Sequence, residues 1–191
     1  MLQCSMEYLL VIAVLAGIAA AARGTRAVAP TAGRITSRYG NRLGRTTRQE
    51  EWHAGVDFSG PRGTPVVAFW PGVVERVGHD ADRGAGFQGY GNVVVVKHPD
   101  LTVWSLYGHM DSVAPGIARG AQVSAGTPIG AIGSTSNGKF PTMPVHLHFE
   151  VRRAKEDGSS PFPGQYSQFN INPEEMLAQL GIRYNDQGQP A

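Results

Sequence analysis

The chain has 191 residues, enough for one domain with a single core, and a formal net charge of +2 without any run of Lys or Arg. This weak, dispersed charge excludes the basic footprint of nucleic-acid binding, so we predict no nucleic-acid partner. The 25 Gly and 13 Pro residues favour strands and turns over long helices, and the composition therefore predicts an all-β fold.

Residues 1–22 contain an apolar segment. The stretch Tyr8–Ala22 carries no charge over fifteen residues, which predicts an N-terminal apolar helix and a membrane contact through residues 8–22. Its short length and its small residues at the end suit a cleaved signal, whereas the Arg residues that follow suit an uncleaved anchor. We expect an exported or membrane-anchored cell-envelope protein, with a phage virion membrane as the alternative.

The rest of the chain divides into three parts. Residues 23–31 predict a linker, residues 32–181 a folded domain, and residues 182–191 a tail. Runs of strand-forming residues recur between turn signals: Pro65–Trp70, Gly72–Gly78, Asn92–His98, Thr102–Gly108, Pro128–Ile132 and Val145–Arg152. They predict a mostly antiparallel, sandwich-like sheet, in which the apolar run Val93–Val96 is a central strand covered on both faces.

Loops and a helix complete the predicted fold. The segments Asp80–Tyr90, Ser134–Pro144 and Arg153–Phe169 are rich in loop-forming residues, and loops held by a rigid sheet commonly form the walls of a substrate cleft. Asn172 is a good N-cap before Pro173, so a short C-terminal helix is expected to run to Leu180 and to end before a glycine.

Two short motifs carry the chemistry: His53-Ala54-Gly55-Val56-Asp57 and His146-Leu147-His148. Residues two apart on a strand share a face, so His146 and His148 lie on one face and apolar residues on the other. His53 and Asp57 would also share a face on an extended segment. Three such ligands with an open position characterise a catalytic zinc site, so we predict one Zn²⁺ and at least one spare imidazole.

The chain resembles the lysostaphin-type, or LytM-like, zinc metalloendopeptidases, which cut peptide cross-links of bacterial peptidoglycan. The resemblance covers about Gly33–Leu177 and rests on five motifs in the family's order: Gly33–Arg42 (GRITSRYGNR), His53–Phe58 (HAGVDF), Gly63–Val66 (GTPV), Tyr107–Met110 (YGHM) and His146–Glu150 (HLHFE). It implies a hydrolase of peptidoglycan whose partners are stem or cross-bridge peptides.

The resemblance also implies roles for individual residues. It makes His53, Asp57 and His148 the zinc ligands, and His146 and His109 the unligated catalytic imidazoles. In that arrangement His146 would accept a proton from the attacking water and return one to the leaving amine. His109, as a hydrogen-bond donor, would stabilise the negative charge that grows on the former carbonyl oxygen.

Other polar residues receive structural interpretations. We expect a packing or hydrogen-bonding role for His98 and a surface position for His79. Glu150 has no second His at a helical spacing, so a structural role or a contact with a metal ligand is favoured over catalysis. Arg38 and Arg42 either line the cleft, where they would meet an anionic stem peptide, or lie on the solvated surface.

Two alternatives belong to other functional classes. A non-catalytic peptidoglycan-binding or amidase-activating scaffold can share this fold, but the complete ligand set argues against it. Val123–Gly130 resembles a hairpin of lipoyl or biotinyl carriers, yet no Lys stands at the tip of its turn. Between Gly133 and His146 the chain departs from the short turn that is usual in the resembled family, which leaves substrate preference open.

Overall fold

The computed structural model describes residues 26–44, 48–81, 87, 89–140, 142–162 and 168–191. The apolar helix and membrane contact predicted within residues 1–22 lie outside these ranges. Within the described ranges, no helix is both long enough and apolar enough to cross a membrane.

The regular structure of the described ranges consists of strands, a short 3-10 turn and one helix. In chain order these are β1 Arg34–Ser37, β2 Gly40–Leu43, β3 Glu50–His53, β4 Val56–Ser59, β5 Pro65–Val67, β6 Gly72–Gly78, β7 Asn92–His98, the 3-10 turn Pro99–Leu101, β8 Val103–Val113, β9 Gln122–Val123, β10 Pro128–Ile132, β11 Leu147–Arg153, β12 Asn170–Ile171 and helix α1 Pro173–Gln179. The prediction of an all-β fold with a short C-terminal helix is confirmed.

One large antiparallel sheet holds most of the strands. Its main path is β1-β4-β11-β8-β7-β6-β9, while β10 pairs with β5 and β8, and β12 pairs with β11. Strands β2 and β3 form a separate hairpin. Strands β4, β11 and β8 are therefore neighbours, and the two sequence motifs that carry the chemistry come together in the middle of the sheet.

The predicted strands agree with the structure best where they lie in the sheet centre. Strands β6, β7 and β10 have the predicted bounds, whereas β8 runs on to Val113 because its end pairs with β10. Strand β5 stops at Val67, since the amide of Phe69 donates instead to the Tyr107 hydroxyl at 3.0 Å. The predicted strands do not include β1 to β4, which have four residues each.

Strand β7 lies between two apolar clusters. Val94 and Val96 pack into the larger cluster with the aromatic residues of β4, β8 and β11, whereas Val93 and Val95 pack into a smaller cluster on the opposite face. All four side chains are buried. The prediction of a central strand covered on both faces is confirmed.

Helix α1 begins as predicted. The Asn172 side chain accepts a hydrogen bond from the amide of Glu174 at 3.1 Å, and Pro173 occupies the first turn, where it sacrifices no helical hydrogen bond. Gly181 follows the helix with φ of 88°, a left-handed conformation that suits glycine after a helix end.

The segments on both sides of the predicted domain pack on the sheet. Ala27 belongs to the larger apolar cluster, and Thr31 bridges to Val66 of β5. At the other end, the carbonyl of Gly188 accepts a hydrogen bond from the amide of Ile35 at 2.8 Å. Residues of both segments thus contact β1 and β5, and these contacts depend on residues far away in the chain.

Candidate metal centre

The strand pairing of β4 with β11 brings two ligand candidates together. His148 pairs directly with Asp57, and the alternation along each strand sends the neighbouring side chains Phe58, Leu147 and Phe149 into the apolar core. The polar and apolar faces of the sheet therefore follow from the period of two in the sequence.

His53 also lies at this site, but it comes from the separate β2–β3 hairpin. It ends β3 in the separate hairpin, and the chain bends at Ala54 and Gly55 before β4 begins. Our expectation of one extended segment from His53 to Asp57 is therefore wrong. The bend lies against β11 so closely that a Cβ on Gly55 would lie 2.3 Å from the Phe149 carbonyl oxygen, which only glycine avoids.

The three candidate ligand atoms converge. Asp57 Oδ1 lies 3.1 Å from His53 Nε2 and 2.9 Å from His148 Nδ1, and the two imidazole nitrogens are 3.1 Å apart. Tetrahedral bonds of about 2.0 Å to zinc require ligand atoms about 3.3 Å apart, so the donor set fits with small adjustments. Within the described ranges these residues form the group of metal-ligating side chains that could hold an ion.

Contacts behind His53 and Asp57 orient their ligand atoms. His53 Nδ1–H donates to the Arg38 carbonyl at 2.8 Å, which leaves Nε2 unprotonated and directed at Asp57. Arg42 Nη1 donates to Asp57 Oδ2 at 3.1 Å, so that oxygen is occupied and Oδ1 faces the site. Arg42 thus contacts a ligand candidate and is not a purely solvated residue.

Glu150 orients His148 through a hydrogen bond. Its Oε1 accepts from His148 Nε2 at 2.9 Å and from the Tyr90 hydroxyl at 2.6 Å, while its Oε2 accepts from Arg152 Nε at 2.8 Å. Both Glu150 and Arg152 are fully buried. Glu150 thus contacts a candidate ligand, as the sequence predicts, and the contact leaves His148 Nδ1 directed at Asp57.

The electrostatics of the group favour a positive charge at its centre. Burial by itself would raise the pKa of Asp57, but the adjacent imidazoles of His148 and His53 hold that pKa well below its usual value. Burial would likewise lower the pKa of His148, yet the carboxylates of Asp57 and Glu150 raise it to about 9. The same field that favours a proton on His148 favours a cation among the three ligand atoms.

His146 lies at the edge of this group. It precedes β11, its Nδ1–H donates to the Pro144 carbonyl at 2.7 Å, and its Nε2 lies 3.7 Å from Asp57 Oδ1. Burial lowers the pKa of His146 below its usual value, although the nearby Asp57 carboxylate acts in the opposite direction. The lowered pKa keeps this imidazole neutral near pH 7. A neutral imidazole with a free Nε2 facing the ligand atoms is able to accept a proton.

His109 occupies a β-bulge. Gly108 and His109 of β8 stand opposite a single residue of β7, and His109 has φ of 60°, a left-handed conformation that turns its ring toward the site. Its ring centroid lies 4.7 Å from that of His146 and 5.8 Å from that of His148. The structure therefore brings all five predicted site residues together.

The hydrogen bonding of His109 affects the role expected for it. Its Nδ1–H donates to the Thr135 carbonyl at 2.8 Å, and burial together with the nearby imidazoles lowers its pKa to about 3. The neutral ring consequently presents Nε2 as an acceptor. Donation to an oxyanion would require His109 to take up a proton at Nε2 first.

The remaining histidines agree with their predicted positions. His98 is fully buried, donates from Nδ1 to the Pro71 carbonyl at 2.8 Å and accepts at Nε2 from the Ser105 hydroxyl at 2.7 Å. Burial lowers the pKa of His98 to about 4. His79 is exposed.

Sequence reasoning missed several residues that surround the site. Tyr90 hydrogen-bonds Glu150 and lies against His148 and His109, with ring centroids 5.7 and 6.4 Å away. The Arg38 carbonyl orients His53, although the Arg38 side chain turns away and pairs with Glu174. A backbone carbonyl has no signature in the sequence, and Tyr90 belonged to a segment predicted only as a loop.

The sheet and its His-Asp-His group have the architecture of a lysostaphin-type metallopeptidase. The profile of Peptidase family M23 matches residues 51–161, which is more than half of the chain. The chain belongs to Peptidase family M23.

Two curated relatives of this chain differ in what their names describe. The DD-carboxypeptidase/endopeptidase Mpg of Neisseria meningitidis serogroup B is 36% identical over 121 residues, which cover 62% of this chain and 24% of that protein. The murein hydrolase activator NlpD of Escherichia coli strain K12 is 30% identical over 123 residues, which cover 64% of this chain and 27% of that protein. The chain thus matches only about a quarter of the length of these relatives.

Solved structures share the fold over most of the chain. The catalytic domain of the prophage-encoded M23 protein EnpA from Enterococcus faecalis is 29% identical, with a TM-score of 0.54 over 78% of this chain and 94% of that domain. The catalytic domain of the antimicrobial peptidase lysostaphin from Staphylococcus simulans is 26% identical, with a TM-score of 0.57 over 76% of this chain and 92% of that domain.

Proposed function

We propose that this chain is a zinc-dependent endopeptidase that hydrolyses peptide cross-links of bacterial peptidoglycan. The observation that carries the proposal is the convergence of three ligand atoms, 2.9–3.1 Å apart, beside two imidazoles that are neutral near pH 7. A family profile alone does not distinguish an enzyme from a scaffold, but a complete donor set with nearby proton acceptors is what the chemistry needs.

His53, Asp57 and His148 are proposed as the ligands of one Zn²⁺. One carboxylate and two neutral imidazoles give the loaded site a net charge of about +1 and leave a coordination position open. Zinc held there would polarise the scissile carbonyl and lower the pKa of a water molecule toward neutrality.

His146 is proposed as the general base. Its Nε2 has a free lone pair, and its ring is fixed through Nδ1–H by the Pro144 carbonyl. It accepts a proton as the water oxygen bonds to the carbonyl carbon, and it returns a proton to the amine as the carbon–nitrogen bond breaks. His109 is proposed to stabilise the oxyanion, as a donor once its Nε2 carries a proton.

A non-catalytic, amidase-activating scaffold remains the second candidate. The observation that favours it is the similarity to a murein hydrolase activator at 30% identity. The two candidates differ in what they require of His146, because a scaffold needs neither a general base nor bound zinc.

Substitution of two histidines tests the proposal. In zinc-resupplied protein, His148→Ala is expected to lose both the stoichiometric metal and turnover. His146→Ala should keep one zinc and lose turnover by about 100-fold or more. Elemental analysis measures the metal, and mass spectrometry of fragments released from purified sacculi measures turnover and identifies the bond cut.

The outcomes separate the candidates. Normal turnover in His146→Ala would show that the base is another residue. Resupplied wild-type protein that holds no zinc would refute the metalloenzyme. Zinc-loaded protein that releases no fragments but accelerates a purified murein amidase would establish the scaffold instead.

We also propose a cell-envelope location, supported by relatives that are named lipoproteins and murein hydrolase activators. In this proposal residues 1–22 act as a signal or membrane anchor, residues 23–31 link it to the catalytic domain, and that domain spans residues 32–181. Determination of the N-terminus of the native protein distinguishes a cleaved signal from a retained anchor.

A further inference from the structure

A carboxylate outside the proposed ligand set holds the loop beside His109. Asp80 follows β6, and its Oδ1 accepts hydrogen bonds from two consecutive backbone amides, of Ser136 at 2.9 Å and of Asn137 at 2.5 Å. The amide of Asp80 donates to the Asn92 side chain at 2.9 Å, which ties the carboxylate to the first residue of β7. One side chain thus joins two loops that the sequence separates by more than fifty residues.

Asn137 closes the same connection from the other side. Its Oδ1 accepts from the amide of Gly91 at 2.8 Å, and its Nδ2 donates to the carbonyls of His79 and Asp80 at 2.9 and 3.1 Å. Asn137 is buried and has φ of 52°, a conformation that asparagine tolerates better than most residues. We call Asp80 and Asn137, with these hydrogen bonds, the loop clasp.

A single peptide unit links the loop clasp to His109. The carbonyl of Thr135 and the amide of Ser136 belong to the same planar trans peptide, so they point in opposite directions. The amide donates to Asp80, and the carbonyl therefore points toward His109, whose Nδ1–H it accepts at 2.8 Å. Fixing one end of this rigid unit fixes the other.

The packing around this peptide leaves it little freedom. Thr135 Oγ1 donates to the Met110 carbonyl at 2.8 Å and accepts from the amide of Asn92 at 2.8 Å. Gly91 has φ of 64°, and a Cβ there would lie 2.2 Å from Thr135 Oγ1 and 2.3 Å from the Thr135 carbonyl carbon. The chain thus provides glycine where the loop must approach β7.

We propose that Asp80 is a positioning residue for the reaction, acting through the Thr135–Ser136 peptide to hold the His109 ring with Nε2 toward the substrate. The inference rests on the proposed function, because positioning matters only if His109 has the catalytic role proposed above. It extends that function to a carboxylate outside the proposed ligands and catalytic imidazoles, whose hydrogen-bond partners Ser136 and Asn137 lie in the segment where the chain departs from the resembled family.

Two substitutions at Asp80 separate positioning from general structure. Asp80→Ala removes the acceptor, whereas Asp80→Asn keeps a side-chain oxygen able to accept both amides. In Asp80→Ala we expect the amides of Ser136 and Asn137 to exchange hydrogen about tenfold faster or more, and kcat to fall about tenfold with KM within about twofold. Asp80→Asn is expected to restore most of both properties, and both variants should keep one zinc.

Asp100→Ala is the matched control, because Asp100 is an exposed carboxylate just beyond the opposite end of β7. Unchanged amide exchange in Asp80→Ala would refute the loop clasp. Faster exchange with unchanged kcat would refute positioning of His109, and so would a failure of Asp80→Asn to restore kcat.

Measurements without turnover distinguish a failure of this inference from a failure of the proposed function. The imidazole ¹⁵N spectrum should show His109 protonated at Nδ1 in the wild type and in Asp80→Asn, but mixed between its two nitrogens in Asp80→Ala. If the wild type releases no peptides, the proposed enzyme is refuted, and the exchange rates with the ¹⁵N spectrum still decide whether Asp80 orients His109.

Discussion

Replacement of Glu150 by glutamine tests the buried support of the metal centre. Glu150 is fully buried, and its two oxygens accept from His148 Nε2 at 2.9 Å, the Tyr90 hydroxyl at 2.6 Å and Arg152 Nε at 2.8 Å. Glutamine keeps the shape and one acceptor oxygen but removes the negative charge. It also presents an amide donor near either the imidazole or the guanidinium.

Two magnitudes follow from this change. A carboxylate hydrogen-bonded to a ligating imidazole raises its basicity, and its loss typically weakens metal binding 10- to 100-fold, or by about 1.4–2.7 kcal/mol. Arg152 is also fully buried and lies over the Phe162 ring, 4.1 Å from its centroid. Removing the partner of a buried charge costs about 3–5 kcal/mol of folding stability.

The two effects are measured separately. Competition with a chromophoric chelator gives the zinc affinity, and urea unfolding of zinc-free protein gives the free energy of unfolding. Glu156→Gln provides the control, because Glu156 is exposed on the loop after β11 and undergoes the same chemical change. If Glu150→Gln binds zinc as tightly as Glu156→Gln, the proposed support of His148 is refuted.

Three further predictions concern stability and metal binding. The pKa of His98 is lowered to about 4 by burial, against about 6.5 when unfolded, so the unfolded chain alone takes up this proton between those values. The stability that depends on neutral His98 is therefore complete above pH 6.5, and about 3 kcal/mol of the free energy of unfolding is lost as the pH falls from 6.5 to 4. Urea unfolding of His98→Gln should depend on pH less than that of the wild type. An equal pH dependence in both proteins would contradict the prediction. Arg42→Ala frees Asp57 Oδ2, so zinc affinity measured by chelator competition should fall about tenfold, and an unchanged affinity would exclude Arg42 from holding the ligand. Gly91→Ala combines a positive φ with a clash against Thr135 and should lower the free energy of unfolding in urea by about 2–4 kcal/mol; a loss under about 0.5 kcal/mol would contradict the packing described.

Local patterns determined much of the sheet and half of the site. The alternation in His146-Leu147-His148-Phe149 assigns imidazoles to one face and apolar side chains to the other. Strand β11 has this arrangement from Leu147 to Phe149 because a strand repeats every two residues, and His146, just before the strand, also lies beside Asp57. The apolar run Val93–Val96 and the cap at Asn172 were equally local signals, and both predicted features are present. Such features depend on neighbours in the chain, so the sequence contains all that is needed to predict them.

Tertiary structure decided how the site residues are oriented. Which nitrogen of His53 and of His148 faces the candidate metal site depends on the Arg38 carbonyl and on Glu150, which become partners only when hairpin and sheet pack together. The bulge that turns His109 inward arises where β8 pairs with β7, at the register shift between Asn92 and Val94.

The loop beside His109 also shows features that only tertiary packing decides. Asp80, Gly91 and Asn137 appear in the sequence only as typical loop residues, and residue type alone predicts no more than turns for them. Their common action on Thr135 and His109 arises from hydrogen bonds between segments up to 58 residues apart. The composition and spacing of this chain thus determined which chemistry is available, whereas long-range packing decided where each proton and lone pair points.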